Sequence, residues 1–256
     1  MSAADPGVRT FAFGDLTAGV WVTARVPATG EPGLASLVAP GGSEAPIPAT
    51  VSAPDEVAEW VLSGAGLELA FAPAGDEVEL DLRDAGLIAL DQPCHVSGAM
   101  NLGGVAYQLD GRGSRGHRSQ PDWSRLASVR ELAAWVEGDS SVVVIAARPR
   151  RARGHDADIA AGFLFGADAP TLVNEPRLST TYDRGGMPAK AGLELWIDDD
   201  EHEYPRRAAG EAASSANVIR NHASVRTWIP FRWRMAGAEG AGSYELLEPA
   251  SDQRRS

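Results

Sequence analysis

The sequence predicts an all-β protein, and three observations support this fold class. Short runs of apolar or alternating residues recur along the chain. These runs are bounded by glycine, proline or aspartate, and only two stretches show helical spacing. Alternation with a period of two places one face of a strand against a core and the other in water. Short strands separated by turn signals favour a barrel or a sandwich over a βαβ fold.

Six of the runs carry the clearest strand pattern. Their alternation is supported by valine, leucine and aromatic residues, which fit a pleated and half-buried surface. They are residues 19–26, 67–73, 77–82, 104–110, 141–149 and 192–198.

Two stretches are predicted to be short helices. In residues 52–66, Ser52 serves as an N-cap with Glu56 in the first turn, and glycine ends the apolar spacing. In residues 122–138 four apolar residues follow one another at steps of three, which is close to helical spacing. These residues are Leu126, Val129, Leu132 and Trp135, and Gly138 ends the stretch.

Composition and charge limit the classes of partner. The chain has 256 residues, of which 44% are hydrophobic and 23% charged, as in an ordinary globular protein that can bury a core. Its net charge of −12 argues against binding to nucleic acid or to anionic membranes, since both depend on basic patches. The expected partners are small molecules or proteins, without nucleic acid and without membrane insertion, and the oligomeric state stays open.

Cysteine usage and the N-terminus predict the compartment. Cys94 is the single cysteine, so the fold does not depend on an internal disulfide or on an oxidising environment. The N-terminus shows no charged leader followed by an apolar stretch, and no segment approaches the roughly 18 apolar residues of a membrane span. We expect a soluble, cytoplasmic protein. Lys190 is the only lysine, a bias typical of GC-rich genomes such as those of actinobacteria.

Residues 109–123, LDGRGSRGHRSQPDW, are unusually rich in glycine and arginine for an acidic chain. The spacing of Gly111, Gly113 and Gly116 loosely matches a dinucleotide-binding loop, but Pro121-Asp122 follows where that motif requires a helix. The sequence also lacks a phosphate-binding Gly-Lys-Ser/Thr loop, a Gly-x-Ser-x-Gly nucleophile elbow and a convincing metal-ligand spacing. We therefore expect neither a cofactor nor a metal.

The polar residues of this stretch suggest a small-molecule site. His117 lies between arginines, which disfavour its cationic form, so a neutral imidazole could accept or relay a proton. Asp122 could bind an arginine side chain through two hydrogen bonds, and Trp123 could form an apolar wall. A structural alternative carries equal weight: Asp122 and Arg115 tie the segment to a barrel, and Trp123 plugs it. Tyr107 faces either the cavity or the solvent, because alternation along one strand cannot decide.

The segment from residue 94 to residue 123 carries a family motif. The matching positions are His95, Ser97, Gly98, Gly111, Gly113, Arg115, His117, Asp122 and Trp123. In this order they resemble the lipocalin-like family that includes carotenoid hydratases (hydroxyneurosporene synthase) and AttH-type proteins. Residues 179–200, with Tyr182, are similar to a later segment of that family, and residues 240–249, with Glu245, to its closing strand.

The resemblance implies an architecture and a ligand class. It implies two packed lipocalin-like (calycin) β-barrel halves, residues 1–120 and 121–248, with residues 249–256 as a flexible tail. A cavity in such a fold would accept an apolar or amphipathic small molecule, terpenoid or polyketide-like.

Three functions follow, in order of preference. The first is a cofactor-free acid–base hydratase or cyclase in which His117, Asp122 and Tyr107 are catalytic. Its ligand-binding residues would be Arg115, Trp123, His95, Tyr182 and Glu245. The second is a non-catalytic binding protein, favoured because Gly116 and Arg118 replace the aspartate and serine of the family motif, and Pro121 an arginine. The third, an interaction module, has no positive support in the sequence.

Overall fold

The chain is built from twenty β-strands and one short 3-10 helix within the residues that the computed structural model describes, which are 7–53, 58–136, 140–153, 157–166, 169–198 and 204–250. The strands are β1 Val8–Asp15, β2 Val20–Pro27, β3 Gly33–Ala39, β4 Gly42–Ser43, β5 Ile47–Ser52, β6 Trp60–Gly64, β7 Leu67–Pro73, β8 Val78–Leu82, β9 Leu87–Leu102, β10 Val105–Arg118, β11 Leu126–Val136, β12 Ser140–Pro149, β13 Ile159–Phe165, β14 Thr171–Val173, β15 Glu175–Tyr182, β16 Pro188–Trp196, β17 Arg206–Ala212, β18 Asn217–Arg220, β19 Ser224–Met235 and β20 Ala238–Pro249. The 3-10 helix is Arg83–Ala85.

The all-β class is confirmed, and so are the six predicted strands, which correspond to β2, β7, β8, β10, β12 and β16. Two of them are longer or shifted. β10 continues eight residues beyond the predicted end at residue 110, and β16 begins four residues before residue 192. The alternation therefore located strands well and their ends less well.

The helix predicted over residues 52–66 is wrong where the structure describes it. Ser52 ends β5, and Trp60–Gly64 form β6, which pairs with β5 and with β7. Residues 54–57, which include Glu56 and Val57, lie outside the described residues. Trp60 and Leu62 are buried on one face of β6, which is the period of two of a strand. The helical spacing of the apolar residues in this stretch was coincidental.

The helix predicted over residues 122–138 is also wrong where the structure describes it, and its predicted end at Gly138 lies outside the described residues. Leu126–Val136 form β11, which pairs with β12 and β20. Side chains are buried on both faces of this strand, and the register shifts between Leu126 and Ser128. Because of the burial on both faces and the bulge, the apolar residues do not alternate simply along this strand, and those at steps of three resemble a helical pattern.

The chain divides into two compact units. The first comprises Met1–Glu79 with Ile88–Gln120, and the second comprises Leu80–Leu87 with Pro121–Ser256.

The first unit contains a closed antiparallel barrel. Its strands follow the order β10-β1-β2-β3-β5-β6-β7-β9, β10 pairs back onto β9, and β4 adds to β3. Closure removes the free edges that an open sheet would expose. The interior is filled with apolar side chains, among them Phe11, Phe13, Val22, Leu37, Trp60, Leu62, Leu69, Phe71, Val96 and Met100.

The second unit contains a ten-stranded antiparallel sheet in the order β14-β13-β12-β11-β20-β19-β17-β16-β15, with β18 paired to β19. Its apolar face carries Leu132, Val142, Val144, Leu164, Leu193, Leu195, Ile229, Phe231, Trp233 and Tyr244. The two ends of the strand order are β14 and β15, which follow each other in the chain through Asn174.

Candidate functional site

Residues 109–118 of the glycine- and arginine-rich motif form the second half of β10, so this part of the motif is strand and not loop. Its glycines allow neighbouring backbones to approach closely. A β-carbon added at Gly113 would lie 2.3 Å from the carbonyl oxygen of Ala12, and one added at Gly116 would lie 2.2 Å from that of Leu90. These glycines therefore serve strand packing, which explains their spacing without a bound phosphate.

Arg115 is a buried structural residue inside the first barrel. It is 2% exposed, and its Nε donates to Oε1 of Gln92 at 2.9 Å. Its Nη1 donates to the carbonyl oxygens of Ala58 and Phe71, and its guanidinium carbon lies 4.3 Å from the centre of the Trp60 ring. These hydrogen bonds and the cation–π contact stabilise the buried cation and hold it in place.

Arg118 lies on the opposite face of β10 and belongs to a buried ion pair. Its Nη2 donates to Oδ2 of Asp91 at 2.7 Å, and the side chains are 8% and 5% exposed. Its Nη1 also donates to the carbonyl oxygens of Leu90 and His117. Arg118, which stands where the family motif has a serine, therefore has a structural partner in Asp91.

His117 lies on the interior face of β10, on the same side as Arg115, and is partly buried. Arg9 is its register partner on β1, and the His117 ring packs against the backbone of Gly7. Tyr107 lies on the same strand but ten positions earlier, about 30 Å along an extended chain. Its hydroxyl donates weakly to the carbonyl oxygen of Pro40 at 3.4 Å. Direct assistance of His117 by Tyr107 is therefore excluded by the length of the strand.

Asp122 and Trp123 lie near the start of the longer segment of the second unit, which begins at Pro121. Asp122 is exposed, and its Oδ1 accepts hydrogen bonds from the backbone N–H and the hydroxyl of Ser124 at 2.9 and 2.6 Å. The Ser124 hydroxyl is the main cause that lowers the pKa of Asp122. Trp123 is buried. Asp122 thus forms an Asx turn that starts β11, and the arginine pairing that we predicted for it is not among its contacts described here.

The three remaining predicted ligand-binding residues occupy different surroundings. His95 is exposed on the outer face of β9, with Nε2 2.9 Å from Oδ1 of Asp110. Glu245 is buried on β20, where both of its oxygens accept hydrogen bonds from Arg226. Tyr182 is 46% exposed and lines a cavity. The predicted site residues are therefore spread over two units and several faces, and they form no common cluster.

The second unit contains a cavity of about 1090 Å³ in which Tyr182 participates. Strand register divides its lining between the two faces of the sheet. The inner part is lined by Ser128, Arg130, Arg148, Asp158, Leu178, Thr180, Tyr182, Leu193 and Ala208, and the outer part by Arg177, Ser179, Gly192, Glu194, Arg207, Ala209 and Arg234. The inner part has polar groups at one end and apolar side chains beside them, as small-molecule sites commonly do.

The polar end is organised by Asp158, which precedes β13. Arg130 Nη2 donates to Asp158 Oδ2, and Arg148 Nη1 donates to Oδ1 at 2.9 Å. The side chains of Asp158 and Arg130 are 12% and 13% exposed, whereas that of Arg148 is 34% exposed. One carboxylate therefore fixes two guanidinium groups, of which Arg148 is the more accessible.

The hydroxyl groups of Thr180 and Tyr244 extend the polar end of the cavity into the core. The hydroxyls of Thr180 and Tyr244 are 2.8 Å apart, and Arg130 Nη1 lies 3.4 Å from Thr180 Oγ1. Tyr244 is fully buried, and burial raises its pKa to about 12. The phenol therefore stays protonated at neutral pH and acts as a neutral hydrogen-bonding group.

A smaller cavity of about 550 Å³ adjoins the first. Asp158, Arg177 and Leu178 line both, and the remaining lining consists of Ala146, Ala160, Asn174, Glu175 and Pro176. These residues belong to β12, β13 and β15 or to the chain before β15. Small alanine side chains on β12 and β13 leave room at this side of the sheet.

The sequence analysis missed Arg130, Arg148, Asp158, Thr180 and Tyr244. A signal was present for the two arginines. Val142, Val144 and Ala146 share one face of β12 with Arg148, and Leu132 and Ala134 share one face of β11 with Arg130. A charged residue on an otherwise apolar face marks a polar site within a core. Because residues 122–138 were predicted to be a helix, we did not recognise that Arg130 shares a face of a strand with Leu132 and Ala134.

Within the described residues no three histidine, cysteine, aspartate or glutamate side chains are arranged to hold a metal ion. No helix in that part of the chain is long and apolar enough to span a membrane.

Three solved structures share this fold. Kievitone hydratase from Nectria haematococca has a TM-score of 0.64 at 11% sequence identity, covering 98% of this chain and 92% of that chain. A Nitrosomonas europaea protein described as an AttH has a TM-score of 0.64 at 11% identity, covering 94% and 92%. For CghA the TM-score is 0.61 at 10% identity, covering 98% and 90%.

No family model and no curated protein matches the sequence. At identities near 10% the structural likeness shows the fold. It confirms the architecture that the motif in residues 94–123 led us to expect, including the likeness to an AttH-type protein. The chain has the lipocalin-like β-barrel fold of these proteins.

Proposed function

We propose that this protein binds a small amphipathic molecule in the inner part of the cavity in its second unit. The observation that carries the proposal is the inner lining itself, where the arginines fixed by Asp158 stand at one end and Leu178, Leu193 and Ala208 lie beside them. An apolar wall supplies binding energy and a few fixed polar groups supply orientation.

The ligand body would be apolar, of the terpenoid or polyketide-like class. The interior of the first barrel supports the second unit as the place of binding, because the ring of Trp60 and the guanidinium group of Arg115 occupy it together with Phe11 and Phe71. The protein would act in the cytoplasm, where the buried free thiol of Cys94 stays reduced.

A pair of neighbouring alanines on β17 provides the test. Ala208 lines the inner part of the cavity and Ala209 the outer part. Ala208→Leu fills inner space, and Ala209→Leu makes the same change on the other face of the same strand. Both variants are checked for folding by thermal denaturation, and native mass spectrometry is run after incubation with a lipid extract of the protein's own host. We expect wild type and Ala209→Leu to retain a small molecule and Ala208→Leu to lose it. Retention of the molecule by Ala208→Leu as well would contradict the proposal.

A catalytic role is a second candidate; it would place the substrate at the first barrel instead of the second unit, and the interior position of His117 favours it. The imidazole lies on the same interior face as Arg115 and its register partner is Arg9, and an imidazole is the commonest side chain to transfer protons in acid–base catalysis. The reaction would be a cofactor-free hydration or cyclisation. In the same mass-spectrometric experiment, conversion of a bound molecule to a product of different mass that is lost in His117→Ala supports catalysis. An unchanged molecule in both proteins supports binding alone.

A further inference from the structure

We infer that the molecule bound in the second unit carries a neutral oxygen acceptor, such as a ketone carbonyl, and that the hydroxyl of Thr180 donates a hydrogen bond to it. This inference rests on the proposed function, because it assigns part of the ligand's chemistry to the same cavity.

The first step is the direction of the hydrogen bond between Tyr244 and Thr180. Their hydroxyl oxygens are 2.8 Å apart, and Tyr244 is fully buried, so its O–H cannot donate to bulk water. Among the described residues, the other partner of both hydroxyls is Arg130, whose guanidinium group has donors and no acceptor. A buried O–H without an acceptor is costly, so Tyr244 donates its proton to Thr180 Oγ1.

The second step is the proton of Thr180 itself. Its oxygen accepts the hydrogen bond from Tyr244, and Nη1 of Arg130, a second donor, lies 3.4 Å away. A threonine hydroxyl has two lone pairs and one proton, so both lone pairs face donors and the proton remains to be donated. Thr180 lines the inner part of the cavity. Its proton is therefore available to an oxygen atom of the ligand.

The third step is the apolar surface beside this hydroxyl. Leu178 lies two positions before Thr180 on the same face of β15, and Leu193 on β16 is the register partner of Leu178. Both leucines line the inner part of the cavity. An apolar ligand body packed against them would bring an oxygen substituent within reach of Thr180. Tyr182, by contrast, is 46% exposed, so water can satisfy its hydroxyl without a ligand.

The fourth step is the size of the effect. A bound molecule without an oxygen acceptor excludes water from Thr180 and leaves the hydroxyl proton without a partner, whereas a carbonyl oxygen replaces the lost hydrogen bond. One neutral hydrogen bond of this kind corresponds to a preference of about fivefold.

The test compares 9-fluorenone with fluorene, two flat molecules of nearly the same shape in which a carbonyl group replaces a methylene group. Equilibrium dialysis with chromatographic quantification gives both affinities at pH 7. We expect wild type to bind the ketone about fivefold more tightly. Thr180→Val narrows this difference to less than twofold. Thr181→Val makes the same change on the other face of β15 and keeps the full difference.

Infrared spectroscopy of bound fluorenone provides a second readout. A carbonyl group that accepts a hydrogen bond has a lower stretching frequency than one in an apolar solvent. We expect this lowered frequency in wild type and in Thr181→Val, and its loss in Thr180→Val.

Tyr244→Phe tests the direction of the hydrogen bond. If Tyr244 donates to Thr180, the proton of Thr180 is available in wild type and in this variant, so both proteins should prefer the ketone. A preference that appears only in Tyr244→Phe would mean that Thr180 donates to Tyr244 in wild type, and it would overturn the inference.

The remaining outcomes separate the inference from the proposed function. Equal affinities of wild type for the two probes overturn the inference while the binding function stands. Binding of neither probe removes the binding site and the inference with it. If Thr180→Val fails to fold because the Tyr244 O–H loses its acceptor, the double variant Thr180→Val/Tyr244→Phe removes both partners and should show the same narrowed difference.

Discussion

Asp158 binds Arg130 and Arg148, which come from adjacent strands, so one carboxylate sets the position of both guanidinium groups. Transfer of a charged group out of water is costly unless a partner is fixed nearby. The ion pairs of Asp158 therefore stabilise the fold of the second unit and shape its cavity at the same time.

Removal of this carboxylate should destabilise the protein. Asp158→Asn leaves two partly buried cations without their shared counter-charge, and we expect the free energy of unfolding to fall by about 2–4 kcal/mol. Urea denaturation measures it. Glu239→Gln is the control, because its partner Arg234 is 67% exposed and the loss should stay below about 1 kcal/mol. Equal losses in both variants would show that Asp158 has no special role.

The phenol of Tyr244 should make stability fall at high pH. Burial raises its pKa from the ordinary 10.0 to about 12. As pH rises through 10 the unfolded chain loses this proton first, so the stabilising contribution is complete below pH 10 and is lost toward pH 12. The loss should amount to about 2–3 kcal/mol. The free energy of unfolding of wild type should fall more steeply than that of Tyr244→Phe over this interval, and parallel curves would refute the assignment.

Arg115 should matter for stability and not for ligand binding. Arg115→Met leaves the carbonyl oxygens of Ala58 and Phe71 and the side chain of Gln92 without this donor, at a cost of about 3–5 kcal/mol. Arg83→Met changes an arginine that is 73% exposed and serves as the matched control, with little expected effect. Thermal and urea denaturation provide the comparison. A stable Arg115→Met protein that fails to bind its ligand would restore Arg115 as a binding residue.

Cys94 should be unreactive in the folded protein. It is 2% exposed, and burial raises the pKa of its thiol to about 12, so very little thiolate forms at pH 8. We expect a thiol-specific reagent such as dithionitrobenzoate to label almost no native protein over an hour and to label one thiol per chain in guanidinium chloride. Rapid labelling of the native protein would mean that the first barrel opens readily.

The fold was more predictable from the sequence than the site. The alternation of apolar and polar residues in residues 67–73 and 77–82 predicts strands because it places the apolar side chains on one face, and this is a local property of the sequence. The placement of Arg130 beside Arg148 depends on the pairing of β11 with β12 and on a loop residue, Asp158, 28 positions away from Arg130. Such contacts between distant segments leave no local pattern.

The motif of residues 109–123 shows that residues close in sequence need not form one site. Its residue types suggested one site around His117, and the strand instead points Arg115 and Arg118 to opposite faces. Asp122 lies beyond the end of β10 and forms its own turn. Residues that are close in sequence are therefore separated by the alternation of a strand that the sequence analysis ended too early.

The most direct test of the binding site is photocrosslinking with a fatty acid that carries a diazirine in its chain. After irradiation the protein is digested, and the labelled peptides are identified by mass spectrometry. We predict labels on β11, β12 and β15–β17, around Arg148, Leu178 and Ala208, and competition by unlabelled fatty acid. Labels confined to the first unit, around Trp60 and His117, would contradict the proposed site and favour the first barrel as the place of binding.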